Sequence, residues 1–372
     1  MRTCFSLLVL VLASRSLGFS QDAFEAHQPK LTPQTSGTTQ LLISVSPVDS
    51  RVVWASGGGG TYVVTKDGGE TWKAAVVPGA ESLQFRDVYA VSDREAYLLS
   101  TGNNPADFRI YKTQDGGATW KIEFTNHIAK GFLDCFAFWD RRRGLAHDDS
   151  VNGVFPDLRT NNGITWESIS GNMPPALAGE ASFAASGTCI TVEGKRNAWI
   201  ATGGSTVARI LATRDGGDTW NAYDTPLVSS PTAGGISVAF RDSSNGIVGG
   251  GDLASNASAD AATSNDGGVT WTPTAKPPVA GSIFCLSYVR GNRRDHGRDD
   301  ADDRGNGGFE RTVVITAETE PAFISGSAAW TPDEGRTWFT LPNASGFWAV
   351  GFANPHAGWF VGNNGKILKI SF

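Results

Sequence analysis

The densest cluster of charged side chains, outside one low-complexity segment, lies between residues 141 and 149. Arg141, Arg142 and Arg143 form a run of guanidinium groups, which can bind a carboxylate or another anion through paired hydrogen bonds. His147 and Asp148 follow shortly afterwards and add groups that can exchange protons. We therefore expect these residues to bind an anionic ligand or a protein partner. A solvated turn with local ion pairs is the alternative.

Three further residues are candidates for a binding or catalytic role. Glu180 lies in the small-residue stretch NMPPALAGEASFAASGT (172–188). It is expected to face the central axis of the fold that the repeats below predict. With Asp148 it would form a pair of carboxyl groups suited to glycoside hydrolysis, if the two lie close together. Asp252 follows GIVGGG, and Arg86 is expected at the same edge of the fold as Arg141–Arg143. For each of them a structural role in a turn or an ion pair is the alternative.

Several kinds of chemistry are excluded by what the sequence lacks. There is no Ser-His-Asp or HExxH arrangement, and five histidines support little acid–base catalysis. Apart from Cys4, the cysteines are Cys135, Cys189 and Cys285, which have no CxxC spacing, so a zinc site is not expected. All three lie in apolar runs typical of buried thiols, and one disulfide between Cys135 and Cys189 is the alternative. No cofactor and no metal are predicted.

The elements that must position these residues are indicated by an internal repeat. A short phrase ending in Thr-Trp recurs as TKDGGETW (65–72), TQDGGATW (113–120), TNNGITW (160–166), TRDGGDTW (213–220), SNDGGVTW (264–271) and TPDEGRTW (331–338). The copies are about 50 residues apart, which is typical of solenoids and propellers.

Each phrase has the chemistry of a tight hairpin. Asp binds the backbone of the turn, Gly adopts positive φ without a steric penalty, and Trp begins the next strand. We therefore interpret five aspartates as turn stabilisers and not as catalytic groups: Asp67, Asp115, Asp215, Asp266 and Asp333.

The spacing of strands and turns predicts an all-β fold, a seven-bladed β-propeller with four-stranded antiparallel blades. Upstream of each phrase, two apolar stretches flank a polar turn, as in CITVEGKRNAWIATGG (189–204), so each unit has four short strands. The seventh unit (347–372) has only three strands. We expect a strand near residues 22–38 to close it, which would protect the sheet edge.

The phrase resembles the Asp-box, or bacterial neuraminidase repeat. This repeat is shared by sialidases, large xyloglucanases, sortilin-type receptors and photosystem II stability/assembly factor-like propellers. The regular blades and the closing unit GWFVGNNGKI (358–367) make the chain most similar to the last group. That resemblance implies a non-catalytic binding or assembly scaffold, whose protein or glycan partner binds at a mouth of the propeller.

A glycan-active hydrolase or a lectin-like sugar binder on the same fold is the alternative function. A sialidase should carry an Arg-Ile-Pro motif near its first blade. The nearest match, around Arg109, lacks the proline and lies in the second unit, where it reads as a strand residue.

The termini, the charge and one insertion complete the predictions. Residues 1–20 have the basic, apolar and small-residue regions of a signal peptide, so we expect a secreted, periplasmic or extracellular protein. The remaining residues, 21–372, are expected to form a single domain without a membrane span, and a monomer. A formal net charge of −6 argues against nucleic-acid binding. Residues 290–311 read as a mobile charged insertion in blade six, and its aspartates do not fit an EF-hand.

Overall fold

The computed structural model describes residues 28–183, 185–257, 259–289, 308–319 and 326–372. These residues form 28 β-strands in seven four-stranded antiparallel sheets. The predicted signal peptide (1–20) and residues 290–307 of the charged insertion lie outside the described residues. Within those ranges the helical elements are short 3₁₀ turns at Pro105–Asp107, Ser170–Asn172 and Asn363–Gly365.

The sheets are numbered as blades in chain order, and the first strand of each blade is the innermost. Blade 1 contains β2 (Leu42–Pro47), β3 (Val53–Gly57), β4 (Thr61–Thr65) and β5 (Lys73–Val76); blade 2 contains β6 (Gln84–Ala90), β7 (Ala96–Thr101), β8 (Arg109–Thr113) and β9 (Lys121–Thr125); blade 3 contains β10 (Leu133–Phe138), β11 (Gly144–Asp148), β12 (Leu158–Thr160) and β13 (Glu167–Ser168); blade 4 contains β14 (Ile190–Glu193), β15 (Asn197–Ala201), β16 (Arg209–Thr213) and β17 (Asn221–Asp224). Blade 5 contains β18 (Ala233–Phe240), β19 (Gly246–Asp252), β20 (Asp260–Ser264) and β21 (Thr272–Pro273); blade 6 contains β22 (Ser282–Tyr288), β23 (Val313–Glu318), β24 (Ser327–Thr331) and β25 (Phe339–Leu341); blade 7 contains β26 (Phe347–Asn354), β27 (Ala357–Gly362), β28 (Lys366–Ser371) and β1 (Lys30–Thr35).

The blades form a closed ring, because the innermost strand of each blade contacts the innermost strands of both neighbours, including β2 with β26. The prediction of seven four-stranded blades is confirmed. In blade 7 the outermost strand is β1, which pairs with β28 in antiparallel register from Lys30–Ser371 to Thr35–Lys366. Fully buried tryptophans on three second strands, Trp54, Trp199 and Trp359, fill the space between blades.

The Thr-Trp phrases connect the third and fourth strands of blades 1 to 6, far from the axis. In blade 1, the Asp67 carboxylate accepts hydrogen bonds from Thr71 N at 2.9 Å and Thr71 Oγ1 at 2.6 Å, and Thr65 Oγ1 accepts Gly69 N at 2.9 Å. These donors lower the pKa of Asp67 to about 2, with the Thr71 hydroxyl contributing most. The aspartates of the repeat are thus committed to their turns.

Six of the seven innermost strands contain a β-bulge near their beginning. The register with the second strand shifts by one residue, and the extra residue is Ile43, Arg86, Asp134, Ile236, Phe284 or Trp348. A bulge leaves one residue unpaired and redirects its side chain. These six residues therefore occupy equivalent positions around one end of the axis.

In several blades the residue after the bulge joins the neighbouring blade. Asp87 Oδ2 accepts the backbone N–H of Phe136 at 3.0 Å, and Ser237 Oγ accepts that of Leu286 at 2.9 Å. Cys285 Sγ accepts the N–H of Val350 at 3.4 Å. In each case a small polar side chain satisfies a backbone donor of the next blade, so we call these contacts blade joints. They are needed because buried backbone N–H groups are costly to leave unsatisfied.

Candidate functional site

A cavity of about 200 Å³ lies on the axis and is lined by residues of all seven blades. Its walls come from the second halves of the innermost strands, with small residues such as Ala137, Ala239, Ser287 and Gly351. Its lining reaches Trp139 and the turn at Glu193–Gly194, where the first turns of blades 3 and 4 begin. The first turns of the blades surround one end of the axis, which we call the mouth. The cavity therefore extends toward this mouth.

Two adjacent turns give this mouth its positive charge. The turn between β10 and β11 carries Arg141, Arg142 and Arg143, and the turn between β14 and β15 carries Lys195 and Arg196. We call these five residues the basic rim. Only Asp140 and Glu193 oppose them within the two turns, which leaves a formal net charge of about +3 in a chain of net charge −6.

The basic rim has both fixed and exposed members. The Arg143 guanidinium binds Asp140 at 2.7 Å and donates to the Lys195 carbonyl at 3.3 Å, which ties the two turns together. Arg141 and Arg142 are exposed, and Asp140 Oδ1 accepts the backbone N–H of Arg142 at 2.8 Å. The turn backbone is therefore fixed, while the guanidinium groups of Arg141 and Arg142 face solvent.

A disulfide joins the two blades that carry the rim, at the other end of their innermost strands. Cys135 and Cys189 are bonded, with their Cα atoms 6.2 Å apart, and connect the innermost region of blade 3 to that of blade 4. Cys135 follows the Asp134 bulge, so the disulfide takes the place of a blade joint. Trp139 adds a hydrogen bond from Nε1 to the Asn197 carbonyl at 2.8 Å. The expectation that all three thiols are free was wrong for this pair, whereas Cys285 is free and buried.

A segment before blade 4 crosses the opposite end of the axis. We call residues 173–183 and 185–188 the strap. Phe183 and Ala185 pack with Ile236, Phe284 and Trp348, the bulge residues of blades 5, 6 and 7.

Further along the strap, Ser186 Oγ donates to the Phe284 carbonyl at 2.6 Å. Gly187 lies against the Asp87 carboxylate, and Gly187 and Thr188 line the inner end of the cavity. The strap therefore separates the cavity from this face.

Glu180 anchors the strap. Its carboxylate accepts Arg209 Nε at 2.8 Å, Thr202 Oγ1 at 2.7 Å and the backbone N–H of Leu177 at 2.8 Å, and it also binds Arg209 Nη2. The Glu180 side chain is fully buried. Its oxygens are occupied by donors of the chain itself, so its observed role is structural.

Buried carboxyl groups gather beside the strap in blade 3. Neither oxygen of Asp134, which is 1% exposed, receives an N–H or hydroxyl donor from the described residues. Asp134 contacts the Asp149 carboxyl, which is a hydrogen bond only when one of the two is protonated. We call Asp134 and Asp149 the acid pair. Burial raises the pKa of both residues, and the neighbouring Asp149 raises that of Asp134 further.

His147 and Asp148 adjoin the acid pair. His147 Nδ1 lies 2.9 Å from Asp157 Oδ1 in a fully buried position. Burial lowers the pKa of His147, but the Asp157 carboxylate outweighs this effect and the pKa is raised. Burial raises the pKa of Asp148 to about 7, although its carboxylate accepts the N–H of Phe132 at 2.6 Å. Both groups therefore hold a proton more tightly than they would in water, but they are buried.

The remaining candidates have local roles. Asp252 ends β19 and accepts Thr232 Oγ1 at 2.7 Å and the N–H of Ala254 at 3.0 Å, as a turn residue does. Arg109 is a strand residue of β8, as predicted, and its Nε donates to the Ala106 carbonyl. Arg86 was expected at the same edge as Arg141–Arg143, but it lies at the other end of the axis, because the bulge in β6 precedes the first turn of its blade.

The structure thus separates the predicted residues into two groups. Arg141, Arg142 and Arg143 lie at the open mouth, whereas the others lie at the end crossed by the strap: Arg86, His147, Asp148, Glu180 and Asp252. Sequence reasoning included Asp149 only as the end of the charged cluster, and it missed Asp134 and the rim residues Lys195 and Arg196. The run GKR (194–196) in a predicted turn was the only signal for the latter.

Comparison with known proteins reveals likeness in structure alone. No protein-family model matches the chain, and no curated protein matches it in sequence. A structure of YCF48 bound to D1 peptide superimposes with a TM-score of 0.61 and 15% identity over 93% of this chain and 97% of that one. YCF48 from Cyanidioschyzon merolae gives 0.61 and 16% over 92% and 98%. This chain shares their propeller fold.

A GH74 xyloglucanase from Xanthomonas campestris is also similar, with a TM-score of 0.60 and 12% identity. The match covers 91% of this chain but 53% of the enzyme, so the chain spans about half its length. Within the part of the chain that the structure describes, no helix has the length and apolar character needed to cross a membrane. Among the same residues, no group of three or more His, Cys, Asp or Glu side chains is arranged to hold a metal ion.

Proposed function

We propose that this protein is a secreted, non-catalytic propeller that binds an anionic segment of a protein partner at the mouth bordered by the basic rim. The observation that carries the proposal is the concentration of five basic side chains on two adjoining turns of an otherwise acidic chain. Arginine pairs bidentately with carboxylates, which makes Arg141 and Arg142 suitable for recognising acidic side chains.

The setting of the rim supports the proposal. The Arg143 hydrogen bond to the Lys195 carbonyl and the Trp139 hydrogen bond to the Asn197 carbonyl hold the two turns together, so little conformational freedom is lost when a partner binds. The axial cavity beside the rim offers small and apolar walls to a side chain of the same partner. That a propeller of this fold, YCF48, has been solved with a bound peptide agrees with a peptide ligand.

The experiment is a binding titration with a defined probe, a fluorescent peptide of alternating glutamate and leucine. We expect the double variant Arg141→Ala/Arg142→Ala to weaken binding about tenfold, and added salt to weaken binding to the unmodified protein. The matched control is Arg51→Ala/Arg94→Ala, which removes two exposed arginines from the first turns of blades 1 and 2. Equal losses in both double variants would show that only overall charge matters. No binding by the unmodified protein would refute the proposal.

Secretion is supported by the sequence of residues 1–20 and by the Cys135–Cys189 disulfide, since disulfides persist in oxidising compartments. The measurement is N-terminal sequencing of the protein recovered from its native compartment. A mature N-terminus near residue 21 is expected, and an intact Met1 in a cytoplasmic fraction would contradict it.

A glycan-active hydrolase is the second candidate. It is favoured by Asp148, whose pKa near 7 suits a general acid. It is opposed by the burial of Asp148 and by the engagement of Glu180 with Arg209. Incubation with a glycan array followed by an assay for released sugar tests it. Release that is abolished by Asp148→Asn or Glu180→Gln would replace the scaffold proposal.

A further inference from the structure

Two Asn-Ala-Ser triplets occur in the chain, at 256–258 and 343–345, and the function proposed above uses neither of them. Asn-X-Ser is the acceptor motif for N-linked glycans, which are attached to surface loops of secreted proteins. Asn343 lies in the turn between β25 and β26, and Asn256 lies in the connection between β19 and β20. All three residues of the triplet at 343–345 belong to the described part of the chain.

The turn around Asn343 is anchored by the middle residue of the triplet. Ala344 is 3% exposed and packs in a hydrophobic core cluster, and its N–H donates to the Leu341 carbonyl at 3.4 Å. The N–H of Gly346 donates to the Gly326 carbonyl at 3.1 Å. Asn343 and Ser345, on either side of Ala344, are both exposed. The backbone of the turn is therefore held without help from either polar side chain.

The side chains of Asn343 and Ser345 take no part in the hydrogen bonding of the fold. Within the described ranges, no group hydrogen-bonds to the Asn343 carboxamide or to the Ser345 hydroxyl. The turn residue Asn162 differs in this respect, because its Oδ1 accepts the N–H of Thr165 at 2.8 Å. Asn343 has φ +66°, a conformation that asparagine adopts more readily than most residues. Its Nδ2 atom is therefore held at the surface by the backbone alone and is accessible to a modifying enzyme.

Both triplets lie at the same end of the axis. Successive strands of a blade are antiparallel, so the connections that carry Asn256 and Asn343 lie opposite to the first turns, at the end that the strap crosses. The connecting residues 253–257 and 342–346 include no charged residue. An N-linked glycan is bulky and solubilising, so it would hydrate loops that have no charge of their own. The same placement leaves the basic rim uncovered.

We propose that Asn343 and Asn256 are acceptors of N-linked glycans, which the protein carries at the strap end of the propeller. The inference rests on the secretion proposed above, because the donor is a lipid-linked oligosaccharide of the export pathway. In the transfer, Nδ2 of the asparagine bonds to the anomeric carbon of the oligosaccharide, and the bond from that carbon to the lipid pyrophosphate breaks. The pyrophosphate leaves and takes up the proton that the amide loses, and nothing is oxidised or reduced.

Mass spectrometry of the protein recovered from its native compartment tests the assignment. Peptides that contain Asn343 or Asn256 are compared before and after treatment with peptide N-glycosidase in heavy-oxygen water. We expect carbohydrate on both residues, and conversion of each to an oxygen-labelled aspartate when the enzyme releases the glycan. Asn152 is the internal control, because it is exposed at the same end with φ +55° but is followed by Gly153 and Val154, so it lacks the motif. It should carry no carbohydrate.

Variants made in the native host separate the motif from the asparagine itself. Asn343→Gln and Ser345→Ala should each abolish the glycan at this position, whereas Ser345→Thr should keep it. Neither variant removes a hydrogen bond of the fold, so both should unfold at the same urea concentration as the unmodified protein carrying no glycan at Asn343. Asn256→Gln should abolish the second glycan in the same way.

The outcomes distinguish this inference from the proposed function. An asparagine without carbohydrate, in a protein whose N-terminus begins near residue 21, would overturn the assignment of that asparagine and leave secretion standing. An intact Met1 in a cytoplasmic fraction would overturn both. Carbohydrate on Asn343 that persists in Ser345→Ala would also contradict the assignment, because its attachment would not depend on the motif. Removal of the glycans by enzyme should leave peptide binding at the basic rim unchanged, and weaker or stronger binding would contradict their placement at the strap end.

Discussion

The buried carboxyl of Asp148 should make the propeller less stable as the pH rises. Its pKa is about 7 in the folded protein against an ordinary value of 3.8, with burial as the largest cause. A raised pKa means that the folded state binds the proton more tightly than the unfolded state. Stability is therefore highest below the unfolded value, falls between about pH 4 and pH 7, and is constant above that range.

The size of the effect follows from about 1.4 kcal/mol for each unit of pKa difference. At about pH 5 the ionisation penalty is about 1.5 kcal/mol, and at about pH 8 it reaches an upper limit of about 4 kcal/mol. Asp148→Asn removes the titration and keeps an oxygen for the Phe132 N–H. The variant should therefore gain stability relative to the unmodified protein, and gain more at the higher pH.

The assay is urea unfolding of both proteins at about pH 5 and about pH 8, followed by tryptophan fluorescence. The difference between the two proteins isolates Asp148, because other buried acids such as Glu318, with its pKa of about 8, remain in both. A difference in the free energy of unfolding that is the same at both pH values would refute the reasoning. So would a loss of stability in the variant at the higher pH.

Three further predictions concern packing and covalent structure. Replacing both bridged cysteines by serine should lower the free energy of unfolding by about 4 kcal/mol, as expected for a loop of 54 residues. Reduction of the disulfide should have the same effect on the unmodified protein. Urea unfolding curves that do not change on reduction would contradict this prediction. Gly187→Ala, at φ +79°, should lower the free energy of unfolding by about 1–3 kcal/mol more than Gly194→Ala does. The reason is that a Cβ at position 187 collides with Asp87, whereas a Cβ at position 194 meets no other atom. Equal urea midpoints for the two variants would argue against the position of the strap. Trp220 is 6% exposed, so Trp220→Ala should lower the free energy of unfolding by about 3–5 kcal/mol. Trp72 is only half-buried, so Trp72→Ala should lower it by less. The reverse order in thermal melts would show that the tryptophans of the repeated phrase do not pack as described.

The blade architecture was predictable because its signals are local. A turn of the form TRDGGDTW needs only its own side chains: Asp215 accepts Thr219 N at 2.9 Å, and Thr213 Oγ1 accepts Gly217 N at 3.0 Å. Such a turn folds in the same way wherever it occurs, so its repetition sets the number of blades. The position of Arg141–Arg143 in the first turn of blade 3 followed from the same count.

The ends of the axis were not predictable, because they depend on register between blades. Asp134 lies in LDCFAF, where alternation alone does not reveal that it is the extra residue of a bulge. For the same reason the sequence did not show that Arg86 and Arg141 lie at opposite ends of the axis. It also did not show that Cys135 lies opposite Cys189. The strap was recognised only as a stretch of small residues, since its anchors at Glu180 and Ser182 bind partners far away in sequence.

The blade joints have a consequence for how the repeats diverge. The residue after the bulge is Asp87 in blade 2, Cys135 in blade 3, Ser237 in blade 5 and Cys285 in blade 6, and each links to the following blade through a side-chain oxygen or sulfur. In these four blades the shared feature is a small acceptor or a bridging sulfur, and not one residue type. Individual blades can therefore differ in sequence at this position while the ring stays closed.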